Sequence, residues 1–325
     1  MASLRTWRSD PVITGPEPIQ PDDIAAVNTV FSDAFSERYR KDGMVGVRVP
    51  FLNPLIWRYA IAGAGAGAVL WRTDRGTVAA FNIAHRSGLE GWMGPLAVAP
   101  ELQARGMGRT IVEFGMEHLR SSGCRVIGLE TMPRTMDNIG FYSQLSFVPG
   151  PLTMTVTLDA ATSDSAITLP SRLPVLDRDD AMAECADLTD AMRAGYDFTR
   201  EMRITDSLAL GDTVLLRRDE AIVAFAICHS APLVEGRARD EVRVLKFVAQ
   251  TDGDALQLVT HLTEYARRCG TRRVAIRVQG DATRLYRALI KRGGRVRWTD
   301  LRMTLASYPE AAQPDDGVML SNWEI

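Results

Sequence analysis

The sequence is poor in lysine: of its 38 basic residues only Lys41, Lys246 and Lys291 are not arginine. Forty acidic residues leave a formal net charge of −2. No global positive field is therefore available to hold nucleic acid or an anionic membrane surface. The four cysteines, Cys124, Cys185, Cys228 and Cys269, are widely spaced and form no C-x-x-C pair, so reduced thiols in a cytosolic compartment are expected. No uninterrupted apolar run approaches the ~20 residues that span a bilayer. The opening stretch MASLRTWRSDPVITGPEP has no apolar centre of the kind a secretory signal needs. The expectation is a cytoplasmic protein with neither nucleic acid nor membrane as partner.

What is present is repetition. VLWRTDRGTVAAFNIAH (69–85) resembles VLLRRDEAIVAFAICH (214–229), and both read as strand, polar turn, strand. Phe81, Ile83 and His85 align with Phe225, Ile227 and His229. EHLRSSGCRVIGLE (117–130) matches EYARRCGTRRVAIRV (264–278), and NIGFYSQLSFV (138–148) matches ATRLYRALIKRGGRV (282–296). Three matches in the same order predict two copies of one fold. The length of 325 residues accommodates two domains. The expected division is a first domain over 1–158, a Ser/Thr/Asp/Pro-rich linker over 159–174, a second domain over 175–306, and a tail over 307–325.

In the first copy the pattern predicts a short strand over 12–17 and a helix over 21–35 started by Pro21 and Asp22. A hairpin over 69–73 and 77–85 follows, then a strand over 92–98. An amphipathic helix spans 108–122, with Ile111, Gly115 and Leu119 spaced by four beside Val112 and Met116. A buried strand over 126–131, a short helix over 138–145 and an alternating strand over 152–158 complete the copy. Strand, helix and strand over 92–131 make a parallel crossover, so the sheet is mixed and the class is α/β.

Between strand and helix stands LAVAPELQARGMGRT (96–110). Glycine weakens a helix start, so Gly106 and Gly108 need a reason. The start of a helix presents unpaired N–H groups and a positive dipole end. Glycine lets a phosphate approach them, and Arg105 and Arg109 add charge. The segment reads as a pyrophosphate cradle. It is not a P-loop, since no G-K-[ST] follows.

The order strand, Val98-Ala99-Pro100, Gln103-x-x-Gly106-x-Gly108, helix resembles the acetyl-CoA signature of the GNAT superfamily of N-acetyltransferases. LETMPRTMDNIGFYSQLSFVPG (129–150) is similar to that family's next strand and helix. The resemblance implies two tandem GNAT-like domains, each a mixed sheet flanked by helices, and acetyl-CoA as co-substrate. It implies pyrophosphate contacts from Gln103, Ala104, Arg105, Gly106, Met107, Gly108 and Arg109. It further implies pantetheine contacts from the backbone of Leu96, Ala97 and Val98 and from Asn138. Tyr142 would lie near the thioester sulfur and protonate the departing thiolate. Amides near Val98 would stabilise the oxyanion. Direct attack by an amine requires no metal.

Glu90 and Glu130 are the candidates for the base that takes the amine's proton. His85 recurs as His229 in the other copy and reads as structural. GAGAGA (63–68) matches a dinucleotide fingerprint by letters only, because a strand and a turn follow rather than a helix. It reads instead as a flexible loop bordering the acceptor cleft. That cleft is expected between Phe31 and Gly67, with Arg38, Tyr39, Arg40, Trp57, Arg58 and Tyr59 as walls.

In the second copy Gln250, Gly253 and Ala255 keep the signature's spacing, but Asp252 and Asp254 replace Arg105 and Met107, and Leu256 replaces Arg109. At ~4 Å each carboxylate would cost about 1 kcal/mol against a phosphate even in bulk water. Ala282 stands at the Asn138 position, while Tyr286 keeps that of Tyr142. The second copy therefore reads as degenerate, serving to shape the acceptor site or to form a homodimer. The expected activity is acetyl transfer from acetyl-CoA to a small-molecule amine. Another acyl-CoA or a peptide amine, and a non-catalytic acyl-CoA sensor, stand as alternatives. VMLSNWEI (318–325) is apolar enough to dock, either on the first domain or on another chain.

Overall fold

The computed structural model describes residues 10–164 and 166–323. The first nine residues, on which the expectation about a signal segment partly rests, and the last two residues of VMLSNWEI lie outside them. The first half runs β1 (Ile13–Pro18), α1 (Ile24–Lys41), α2 (Pro54–Ala64), β2 (Ala68–Thr73), β3 (Val78–Ser87), β4 (Glu90–Val98), α3 (Met107–Ser121), β5 (Val126–Thr131), α4 (Met136–Ser143) and β6 (Phe147–Asp159). The second half runs α5 (Val175–Met192), α6 (Thr199–Ser207), β7 (Gly211–Arg218), β8 (Ala221–His229), β9 (Glu241–Ala249), α7 (Asp252–Arg268), β10 (Arg273–Gln279), α8 (Thr283–Lys291) and β11 (Arg295–Leu305). A last strand, β12 (Val318–Ser321), follows. From α1 to β6 and from α5 to β11 the element order is the same, so the two halves are copies of one mixed α/β fold.

All strands join one sheet in the order β1-β2-β3-β4-β5-β11-β6-β10-β9-β8-β7, with β12 paired to β9. The final strands of the two halves have changed places. β11 lies between β5 and β6, and β6 lies between β11 and β10. Met303 and Leu305 of β11 thus pack in the first half's core, while Val156 and Leu158 of β6 pack in the second's. The expected limits near 158 and 175 are positions along the chain, and two strands cross between the packed units.

Helix α3 buries Ile111, Val112, Gly115, Met116 and Leu119 against the sheet, the face that the four-residue spacing predicts. Full burial of each large aliphatic side chain contributes about 1.5–3 kcal/mol. Strand β6 starts at Phe147 rather than near 152. Pro149, Gly150 and Pro151 look like a breaker, but the ladder passes them through a register shift opposite Leu301–Met303. The stretch 63–68 is corrected outright: it forms the end of α2, a short 3-10 turn and the start of β2, away from the cavity. A Cβ on Gly67 would meet the Ala84 carbonyl at 2.2 Å, so close packing rather than flexibility explains the glycine.

Candidate active site

Strands β4 and β5 pair in parallel from Glu90 to Met93 and from Val126 to Leu129, and then part. Gly94 and Pro95 follow on β4, and Pro95 has no N–H to carry a ladder onward. Between the parted strands lies a cavity of about 440 Å³, bounded by both strands, α1, α4, β11 and the tail. No strand among the described residues pairs with the β5-facing edge of β4 beyond Met93.

Of the residues expected to hold the co-substrate, Leu96, Ala97, Val98, Gln103, Asn138 and Tyr142 line this cavity. Gln103 donates through Nε2 to the Val98 carbonyl (3.1 Å) and accepts from Lys41 Nζ (3.2 Å), a cation the sequence motif did not include. Ala104 to Arg109 continue from Gln103 into α3 without lining the cavity. Ala104 and Gly106 have positive φ, 61° and 85°, so Gly106 answers a backbone demand. Gly108 does not: its Cβ would make only ordinary contact with Phe141, at 3.5 Å. The space beside it is open to a ligand. Met107 is buried, and Arg105 and Arg109 pair with Asp10 and Glu113 on the surface. No side chain caps the start of α3.

Tyr142 is buried against Phe141 and Phe147, and burial pushes its phenol up to about 12. It therefore stays protonated at neutral pH, the form that donates. Among the described residues its hydroxyl has no hydrogen-bond partner. Asn138 donates weakly to Thr131 Oγ1 (3.4 Å).

The two candidate bases fare differently. Glu90 does not line the cavity, which corrects the expectation for it. It sits at the paired end of β4, fully buried, accepting from Ser321 Oγ and Trp92 Nε1 with Lys246 Nζ at 3.7 Å. Glu130 does line it. Burial raises its carboxyl, but Arg277 and Arg302 outweigh that and, with the Thr153 hydroxyl, hold it below the ordinary carboxylate value. Arg302 is itself buried, stacked 3.8 Å from the Trp92 ring and paired with Glu130 and Glu310.

Sequence reasoning missed most of the far wall. Arg277, Trp298, Asp300 and Arg302, with Asn322 and Trp323, come from the second half and the tail. Of the early wall candidates, Arg38 and Tyr39 face the cavity. Trp57 and Tyr59 are core residues, and Arg40 and Arg58 are exposed away from it. His85 is structural as expected: its Nε2 meets the Gly94 carbonyl at 2.9 Å, its ring stacks on Trp323, and burial pushes it down to about 3.

The second half has the same fork, but it is filled. β9 pairs with β10 from Glu241 to Val244, and from Lys246 to Ala249 it pairs with β12 instead. Asn322 sits at the fork. It donates its backbone N–H to Leu245 and its Nδ2 to the Arg277 carbonyl, and accepts from Gln279. The start of α7 is capped by Thr251, whose Oγ1 accepts from the Asp254 N–H (3.1 Å), and by Asp316, which accepts from the Asp252 N–H (3.0 Å). Asp252 and Asp254 are neutralised by Arg284 and Arg218.

An open fork between parallel strands, followed by an uncapped glycine-led helix, offers a free strand edge and unpaired N–H groups to an extended, phosphate-bearing ligand. Residues 31–147 match the model of the acetyltransferase (GNAT) family. A putative acetyltransferase from Pyrococcus horikoshii has the same fold over 99% of this chain and 98% of its own, at 15% identity and a TM-score of 0.66. A tandem GNAT protein from the clavulanic acid biosynthesis pathway matches over 93% of this chain and all of its own (13%, TM-score 0.57). Saccharomyces cerevisiae N-myristoyltransferase with bound myristoyl-CoA matches over 96% and 89% (11%, TM-score 0.62). No curated protein sequence matches the chain significantly. Residues 31–147 thus match a GNAT acetyltransferase domain, and the whole chain shares the fold of acetyltransferases that include a tandem GNAT protein. No helix among the described residues is long and apolar enough to cross a membrane, and no cluster of residues there would hold a metal ion.

Proposed function

We propose that the first half transfers an acetyl group from acetyl-CoA to the amine of a small molecule by direct attack, and that the second half binds no acyl-CoA. One observation carries this reading: the same fork is open in the first half and filled by the chain's own tail in the second. In the open copy the pyrophosphate meets the uncapped N–H groups of α3, with Lys41 and Arg109 nearby. The pantetheine arm runs along Leu96 to Val98 beside Asn138. Tyr142 donates to the leaving thiolate, and amides near Val98 face the oxyanion. In the filled copy β12 occupies the arm's path, and the Asp316 carboxylate takes the place of a phosphate. The second half instead supplies the acceptor wall.

Calorimetric titration with acetyl-CoA tests this directly, and one site per chain is expected. Gly106→Glu forces a side chain into a left-handed position and adds negative charge at the cradle, and should abolish the site. Asp252→Ala should leave it intact. Two sites per chain would mean that β12 yields to the ligand and both halves bind. Tighter binding of a long-chain acyl-CoA than of acetyl-CoA would move the donor assignment toward that chain length.

A further inference from the structure

An ammonium has no lone pair, so a proton must leave the acceptor nitrogen before it attacks. Glu130 and Asp300 are the carboxylates that line the cavity, and no histidine or cysteine among the described residues joins them. We propose that Asp300, supplied by the second half on β11, is the general base, and that Glu130 is a fixed anion that positions Arg277 and Arg302. The proposal rests on the transfer reading above.

Trp298, Asp300 and Arg302 alternate along β11, and all three face the cavity. Leu301 stands opposite Thr131, which places Asp300 just beyond the end of β5, where β4 and β5 have already parted. The hydrogen bonds divide the labour between the carboxylates. Glu130 Oε1 accepts from Thr153 (2.5 Å) and Arg302 (3.0 Å), and its Oε2 accepts from Arg277. Asp300 accepts one bond at each oxygen, from Arg277 (2.9 Å) and from Trp298 Nε1 (3.0 Å), leaving lone pairs for a proton.

The charged surroundings agree. Burial raises the Asp300 carboxyl above its ordinary value, against Arg277 and the Trp298 bond and with help from Glu130. Glu130 moves the opposite way. From α1, Tyr39 faces Asp300, and its phenol is raised by burial and by that carboxylate, with Arg134 opposing. Two neighbouring carboxyls pushed apart in this manner mark separate roles.

In the step itself the acceptor ammonium gives one proton to Asp300, and its lone pair forms the N–C bond to the thioester carbon. The C–S bond then breaks, and the sulfur takes the Tyr142 proton. The second nitrogen proton restores Tyr142, and Asp300 releases its proton to water. The products are an amide, the free thiol and one proton.

The test compares wild type, Asp300→Asn, Asp300→Glu and Glu130→Gln between pH 6 and 10. The probes are acetyl-CoA with tyramine, spermidine, glucosamine and an alanine-initiated peptide. Asp300→Asn should lower kcat/KM about 100-fold near pH 7. The deficit should shrink as pH approaches the amine's own pKa, where free amine no longer needs a base. Calorimetric affinity for acetyl-CoA should not change, and Asp300→Glu should restore the wild-type shape of the profile. A deficit constant across pH, or the same pH signature from Glu130→Gln, overturns the assignment while transfer by wild type stands. A wild type that binds acetyl-CoA but acetylates none of the four amines overturns both the transfer reading and the base.

Discussion

Tyr142→Phe is expected to lower kcat by about 10²–10⁴-fold, the usual worth of a positioned proton donor, with acetyl-CoA affinity unchanged. The substitution removes one oxygen from the cavity and keeps the ring packed on Phe141 and Phe147, so the fold should survive it. Loss of turnover with binding retained separates a donor that acts at the transition state from a residue that merely binds. Because burial pushes the phenol up to about 12, the donating form is lost only as pH rises through that value. Wild-type turnover should therefore show no basic limb from this group at pH 10. An unchanged kcat in the variant would make Tyr142 a core aromatic. Acyl-CoA binding without turnover in either protein would favour the sensor alternative.

Lys246→Met is expected to destabilise the chain by about 3–5 kcal/mol, the cost of stranding one partner of a buried ion pair. Lys246 is fully buried at the junction of the halves, 2.7 Å from Ser321 Oγ and 3.7 Å from Glu90, with the Trp323 ring 3.6 Å beneath it. One ammonium thus ties together β9, β4 and the tail. Urea unfolding of the single variant and of Lys246→Met/Glu90→Gln measures the pair. The double variant should recover part of the loss, because Glu90 is no longer stranded while the buried Glu201 still lacks the ammonium. A single-variant change below about 1 kcal/mol, the size of an ordinary substitution, would show that the cation is dispensable.

Much of the scaffold could be read from residue patterns. The period of four on α3, the alternation in 152–158 and the repeated strand-turn-strand gave most elements of the first copy and the matching segments of the second. The glycine-led loop pointed to Gln103, and the family resemblance to Asn138 and Tyr142, all of which line the cavity. Alternation along a strand, however, assigns faces and not partners. Since β6 and β11 end equivalent repeats, nothing in their composition distinguishes pairing within a half from pairing across halves. That single ambiguity hid Trp298, Asp300 and Arg302, which β11 carries to the first half's cavity, and Arg277 on β10, which the exchange sets beside β6. Helix α2 escaped because its end, Ala62 to Ala64, runs into Gly65 and Gly67 of the next turn, and small residues that pack closely resemble a loop in one dimension. Glu90 was misplaced for a similar reason: its position on the correct strand does not reveal that it lies at the closed end, where Lys246 and Ser321 engage it.

The exchanged strands also set a timetable for synthesis. When β5 leaves the ribosome, the strand that will cover its edge has not been made; at roughly 5–20 residues per second, β11 follows about 10–30 s later. Until then the first half holds an unpaired edge and an incomplete core lacking Met303 and Leu305. An enzyme whose donor machinery is encoded early is thus assembled only when its last strands arrive. Nascent chains that stall near the middle expose the kind of edge that recruits chaperones or other copies of the same strand.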